Sequence, residues 1–216
     1  MRLLALETAY DVCGAALVGD TGVEALEEQR APRRHNEVLA PAVGRLLSGA
    51  GRRFDDLDGI ALSAGPGSYT GLRVGMSYAK GLAYGTGLPI IPVPSLPSLL
   101  EGEEIDSPDW VAAWSHGRNV YAVQPEGNDR WGEVYFMGWD DFARRAAGGT
   151  VAGYLLDRFQ PCSSISVVET CPSAAKVGKF ALARRLPPAS DLAALVPEYH
   201  HEYQVRLSSH AHSGSP

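Results

Sequence analysis

The sequence predicts an α/β protein with mixed sheets, in which a β-β-β-α-β-α-β-α unit is followed by a second unit of similar order. Three observations predict it. Short apolar runs separated by glycine turns open the chain. The later apolar runs alternate with segments of helical periodicity, the pattern of strands exchanged with helices. The alternation restarts near residue 110, after an acidic, proline-punctuated stretch at 96–109.

Taken in order, RLLAL at 2–6 reads as a buried strand and VCGAALV at 12–18 as a second. GDTG at 19–22 supplies a hairpin turn, because glycine reaches positive φ at little cost. VEALEEQ at 23–29 alternates apolar and polar side chains, as a half-solvated edge strand does. Val38, Leu39, Val43, Leu46 and Leu47 share one face of a helix over 36–50, with Pro41 placed in its first turn. GIALSA at 59–64 reads as a strand, the segment from 65 leads into a helix ending near 85, and IIPV at 90–93 is the next strand before a helix that begins near 95. In the second unit, strands are expected at 110–114, 120–124, 133–139, 151–156 and 165–168, with helices at 140–147 and 172–186. The two Asp at the start of the 140–147 segment and the Arg near its end match the helix dipole. The expected division is a first lobe at 1–102, a second at 103–196, and a flexible tail at 197–216.

Composition narrows the function. The chain has 216 residues, a net charge of −6 and 45% hydrophobic content, enough for a sizeable core. An acidic balance argues against a broad grip on a phosphate backbone, which needs clustered Lys and Arg. Three cysteines, Cys13, Cys162 and Cys171, form no metal-binding pair and read as reduced thiols, Cys13 as core. Neither a signal peptide nor an apolar run of membrane-spanning length is expected, so the chain is placed in the cytoplasm with no membrane partner.

The most informative stretch is Gly65-Pro66-Gly67-Ser68-Tyr69-Thr70-Gly71-Leu72-Arg73-Val74-Gly75. It follows a strand and opens a helix, so free backbone N–H groups and the positive end of a helix dipole suit an anion. It matches neither the P-loop nor the dinucleotide fingerprint, and it reads equally as a tight strand-to-helix turn. Glu7 and Thr8, ending the first strand, are candidates to join Gly65, Gly67 and Ser68 in a nucleotide site, or else form a capped strand end. In the helix, Gly71, Gly75 and Ala79 recur every fourth residue beside Leu72, Met76 and Ala83. Such a row lets another helix approach closely, either within the domain or as an interface with a second chain. The expected partner face is therefore Gly71, Leu72, Gly75, Met76, Ala79 and Ala83. Arg33-Arg34-His35-Asn36-Glu37 reads as a solvated charge run, since His35 and Glu37 cannot share a helix face. His200, His201, His210 and His212 read as part of a solvated, flexible end. No metal site and no catalytic set are expected.

Residues 3–17 (LLALETAYDVCGAAL), 33–43 (RRHNEVLAPAV) and above all 56–96 (DLDGIALSAGPGSYTGLRVGMSYAKGLAYGTGLPIIPVPSL) resemble the TsaB (YeaZ) family. The resemblance implies the actin/hexokinase/Hsp70-like (ribonuclease H-like) fold. It implies a part in forming N6-threonylcarbamoyladenosine beside the anticodon of tRNAs that read codons beginning with A. It further implies a non-catalytic subunit that binds and stabilises its catalytic paralogue TsaD, meets the ATPase TsaE through the complex, touches tRNA only indirectly, and pairs with itself when alone. No cofactor is expected on the chain itself, ATP and magnesium belonging to the complex. The alternative is an ATPase or phosphotransferase of the actin-like superfamily. The chain departs from the family pattern at Glu7, where the family carries Asp, at Ser115–Tyr121, which lacks the acid of the family's DARMGEVY-like stretch, and at its end, where Pro197-Glu198-Tyr199 and Val205-Arg206 only faintly match Pro-x-Tyr-Leu-Arg.

Overall fold

The computed structural model of the chain describes residues 1–105, 107–127, 129–159 and 164–200. Its first sheet is formed by β1 (Arg2–Glu7), β2 (Val12–Gly19), β3 (Gly22–Arg30), β4 (Gly59–Gly65) and β5 (Ile90–Pro94), in the order β3-β2-β1-β4-β5. β1, β2 and β3 run antiparallel in sequence, while β4 and β5 are parallel to β1. Helices α1 (His35–Gly49) and α2 (Tyr69–Thr86) connect the strands, and α3 (Ser95–Ser98) follows β5. β2 and β4 are buried at every residue, which is why their sequences are continuous apolar runs. β3 is an edge, and its Glu and Arg side chains face water.

The second sheet repeats the plan. β6 (Trp110–Trp114), β7 (Asn119–Val123), β10 (Tyr135–Gly138), β11 (Thr150–Tyr154) and β12 (Ser166–Glu169) lie in the order β10-β7-β6-β11-β12, with the same sequence of antiparallel and parallel pairings. Two sheets of the same order and sense are the expected ribonuclease H-like arrangement. A small hairpin, β8 (Pro125–Gly127) and β9 (Arg130–Trp131), interrupts the second unit and was not expected. Helix α4 (Trp139–Arg145) covers one face through Trp139 and Phe142, and α3 packs on the other through Leu96 and Leu99.

Helix α5 (Ala174–Ala183) follows the second sheet in the chain. Sequence order puts it with the second unit, yet it crosses back and packs on the first sheet, where Val177, Phe180 and Ala181 join Leu3, Ala5, Val18 and Ile91 in one core. Gly178 permits this, since a Cβ there would lie 2.6 Å from Val18 Cγ2. The edge strand holds the helix start. Glu28 accepts hydrogen bonds from the Ala174 N–H and the Ser173 hydroxyl, both at 3.0 Å, and a carboxylate at a helix N-terminus is favourable. Replacing Glu28 by alanine is expected to destabilise the chain by about 1 kcal/mol, read as a lower urea midpoint at unchanged slope. At its other end Arg184 bonds Glu101 and Asp129, each at 2.9 Å, and lies over the Phe180 ring.

Two smaller expectations change. Pro41 lies inside α1 rather than in its first turn. It faces solvent, where water can meet the carbonyl that its missing N–H leaves unpaired. His35 is buried rather than solvated, with Nε2 2.7 Å from the Tyr10 carbonyl. Residues 187–200, the last described, meet the first sheet. The Ala189 N–H donates to the Ile90 carbonyl at 2.8 Å and the Glu198 N–H to the Ala64 carbonyl at 2.8 Å. Cys162, His201, Val205, Arg206, His210, His212 and the rest of 201–216 lie outside the described residues.

Candidate nucleotide loop and partner helix

The predicted nucleotide residues do come together, at the carboxyl ends of β1 and β4. Glu7 is 1% and Thr8 0% exposed. The Glu7 carboxyl accepts from the Ala9 N–H at 2.6 Å and from the Ser63 hydroxyl at 3.3 Å, and Ser63 Oγ in turn accepts from the Thr8 N–H at 3.3 Å. Burial is the dominant influence on Glu7. It raises the carboxyl from its ordinary 4.5 to about 7 against the opposing pull of the Ala9 and Ser63 hydrogen bonds. This carboxyl is turned inward and serves its own strand end.

The glycine loop is likewise occupied by its own chain. The Gly65 N–H donates to Ser95 Oγ at 3.0 Å, the Ser68 N–H to the Ala9 carbonyl at 2.6 Å, and the Gly71 N–H to Ser68 Oγ at 3.3 Å. Ser68 is thus the N-cap of α2. Gly65, at φ +131°, lacks a Cβ where the Glu198 carbonyl oxygen passes, and Gly67 lacks one where Ala9 passes. The Gly65, Ser68 and Gly71 N–H groups are thus taken by the chain itself, and the glycines build a tight strand-to-helix turn. Ser63, Ser95, Ala9 and Glu198 complete the constellation. The sequence did not mark them, because serine hydroxyls and backbone groups carry no distinctive spacing.

The predicted partner face turns inward. Gly71, Leu72, Gly75, Met76, Ala79 and Ala83 are all buried within the chain. The close approach that the small residues permit is to the first sheet: a Cβ on Gly71 would collide with the Thr8 carbonyl, and one on Gly75 with the Thr8 hydroxyl and with Leu62 Cδ1 at 3.1 Å. The physical reason is that a helix in a three-layer arrangement must seat its apolar, small-residue stripe on the sheet before any other face is available. Water meets the opposite side, where Arg73, Ser77, Gly81 and Tyr84 are exposed, Tyr84 at 70%.

Comparison with known proteins decides the family. The family described as TsaD, tRNA N6-adenosine threonylcarbamoyltransferase, matches residues 27–136, about half of the chain. The chain belongs to the TsaB (YeaZ) branch of the TsaD family. It is 35% identical over 148 residues to the tRNA threonylcarbamoyladenosine biosynthesis protein TsaB of Escherichia coli strain K12, covering 68% of this chain and 58% of that protein. It is 37% identical over 108 residues to the tRNA N6-adenosine threonylcarbamoyltransferase of Moorella thermoacetica, covering 43% of this chain and 32% of that one. The chain therefore spans a little over half, or less, of the curated relatives it matches. In fold it is similar to YeaZ from Pseudomonas aeruginosa, with a TM-score of 0.71 at 24% identity over 92% of this chain and 99% of that one.

Within this TsaB-family fold, the departure at Ser115–Tyr121 is the turn from β6 into β7. It is closed by the Ser115 N–H to the Asn119 carbonyl at 3.0 Å and by the Asn119 N–H to the His116 carbonyl at 2.9 Å, with Gly117 at φ +56°. It occupies the place in the second sheet that Glu7–Val12 occupies in the first. The two sheets meet nearby, where the Tyr154 hydroxyl donates to Asp11 and the Tyr10 and Tyr154 rings meet edge-on at 5.6 Å.

Proposed function

We propose that this chain is a non-catalytic subunit of the assembly that forms N6-threonylcarbamoyladenosine in tRNA, and that it docks onto and stabilises the catalytic paralogue TsaD. What supports this reading is the pairing of TsaB-family similarity with a glycine loop in which, of the candidate ligands Glu7, Thr8, Gly65, Gly67 and Ser68, the Glu7 carboxyl and the Gly65 and Ser68 N–H groups are taken by the chain's own contacts. On this reading two lobes act as one platform, the first comprising its sheet with α5 and residues 187–200. TsaE joins through the complex, ATP and magnesium belong to it as well, tRNA is met indirectly, and the free chain pairs with itself in the cytoplasm. Among the described residues, no helix is long and apolar enough to cross a membrane.

Because the small-residue stripe is sealed, the docking face is reassigned to the exposed side of α2, centred on Tyr84 with Arg73, Ser77 and Gly81. A tyrosine that is solvent-covered in the free chain and flanked by small residues can be fully desolvated by a partner helix. The chain mixed with TsaD is expected to run as a stable complex in light scattering. Tyr84→Ala is expected to weaken that complex by about 10- to 100-fold in Kd, at unchanged thermal stability of the free chain. A wild-type mixture that runs as two separate species, with ATP and TsaE present, would defeat the subunit reading. Undiminished binding by Tyr84→Ala would defeat only the face.

A further inference from the structure

The turn from β1 to β2, Thr8–Asp11, is held by one lobe and reaches into the other. Its main chain is tied to the first lobe. The Ala9 carbonyl accepts from the Ser68 N–H at 2.6 Å, the Tyr10 carbonyl meets His35 Nε2 at 2.7 Å, and the Asp11 carbonyl accepts from the Ala31 N–H at 2.7 Å. Its side chains cross to the second. The Tyr10 ring enters the buried cluster of Val111, Ala113, Tyr121, Val123 and Tyr154, and the Asp11 carboxylate accepts from the Tyr154 hydroxyl.

Two features make this junction the least secure part of the core. Apart from α3, the first lobe gives the shared cluster only Ala9, Tyr10 and Leu72 among the described residues. A small apolar contact between lobes opens at lower free energy than the core of a sheet. The second feature is the Tyr10 hydroxyl. The residue is 7% exposed, yet this hydroxyl has no hydrogen-bond partner among the described residues. A buried hydroxyl without a partner has given up water and gained nothing for it, so opening relieves a cost. The charge-assisted bond from Tyr154 to Asp11 acts in the opposite direction and holds the lobes together.

We propose that the junction is a latch: the Tyr10 ring leaves its seat, the Asp11–Tyr154 bond breaks, and the lobes part at this turn while both sheets stay folded. The pivot is where the chain passes between the lobes, beside α3 and at the start of α5. Lys176 of α5 ties those two passages together, donating to the Leu99 carbonyl at 2.9 Å and pairing with Glu103. Opening bares the carboxyl end of β1 and the face of the second sheet that carries Tyr121 and Tyr154. The latch is a property of the chain alone and stands apart from the TsaD reading.

Thiol labelling of the full, folded chain tests it, read peptide by peptide by mass spectrometry. Ala113 and Ala112 are neighbours on β6 and are both wholly buried, but Ala113 faces the junction cluster and Ala112 the opposite core with Phe142 of α4. Ala113→Cys is the junction probe and Ala112→Cys the control. Ala152→Cys, on β11 and facing the same cluster as Ala113, is a second junction probe should the first not fold. The junction probe is expected to react at least about 100-fold faster than the control. Adding Tyr154→Phe, which removes the bond to Asp11, is expected to speed the junction probe about tenfold. Adding Tyr10→Phe, which removes the unpartnered hydroxyl, is expected to slow it about tenfold. Junction and control probes that react at one rate would mean that the lobes part only when the whole chain unfolds, and the proposal would fall. A junction rate that Tyr154→Phe does not raise, or that Tyr10→Phe does not lower, would overturn it as well, because the opening would then not run through this turn.

Discussion

Replacing Gly71 by alanine is expected to destabilise the chain by about 2 kcal/mol, whereas the same replacement at Gly81, ten residues along the same helix, is expected to stabilise it by about 1 kcal/mol. Helix propensity alone favours alanine over glycine at both positions by about 1 kcal/mol. Space decides the difference. A Cβ at Gly81 meets nothing within 4 Å, while one at Gly71 runs into the Thr8 carbonyl. That oxygen is backbone at the end of a central strand and cannot rotate away, so the overpacking cost of about 3 kcal/mol outweighs the propensity gain. Thermal unfolding reads the pair directly, as a fall of about 6 °C for Gly71→Ala and a rise of about 3 °C for Gly81→Ala. Equal shifts of the same sign would mean that the helix does not lie on the strand as described. The pair also separates two uses of the stripe. A surface reserved for a partner would leave the free chain indifferent to Gly71→Ala, and a surface sealed on its own sheet would not.

Glu7→Gln is expected to stabilise the chain by about 3 kcal/mol at pH 8 and to change little at pH 4.5. Burial raises the folded-state carboxyl from 4.5 to about 7. The folded chain therefore holds this proton more tightly than the unfolded chain. Stability is unaffected by Glu7 below about 4.5, falls as pH rises from there to about 7, and stays reduced above it. Glutamine is neutral throughout and keeps the oxygen that accepts from Ala9, so it escapes the cost of a buried charge. Urea unfolding of both chains from pH 4 to 8 gives the check, since the wild-type curve should decline across that window relative to the variant. Parallel curves would show that Glu7 is not buried as a neutral acid near pH 7.

Much of the first unit was legible because its signals are local. Continuous apolar runs gave β2 and β4, alternation gave the edge β3, and the heptad-like spacing of Val38, Leu39, Val43, Leu46 and Leu47 gave α1. The repetition of element order in the second unit became a repetition of strand order, β10-β7-β6-β11-β12 echoing β3-β2-β1-β4-β5. The hairpin β8–β9 escaped notice because two or three residues per strand are too few to set a period.

The site was legible as a set of residues and not as an arrangement. Glu7, Thr8 and Gly65–Ser68 are adjacent in space as their placement at strand ends implies, yet spacing cannot say that Ser95, Ala9 and Glu198 take the hydrogen bonds and the room that a ligand would use. The row Gly71, Gly75, Ala79 signalled close approach, and close approach is there, but to β1 and β4.

By itself, then, the sequence determined the longer elements, their order, the family and the residues that needed to be small, because periodicity, turn chemistry and missing side chains act within a few residues of one another. Only the tertiary structure decided which surface each of those elements would meet: that α5 returns to the first sheet, that Ala189 and Glu198 hydrogen-bond to β5 and β4, and that the small-residue stripe of α2 faces inward. The physical reason is that burial is non-directional and is claimed by whichever apolar surface the chain brings nearest. That choice depends on contacts between residues a hundred or more positions apart, such as Glu28 with Ala174 and Ala64 with Glu198.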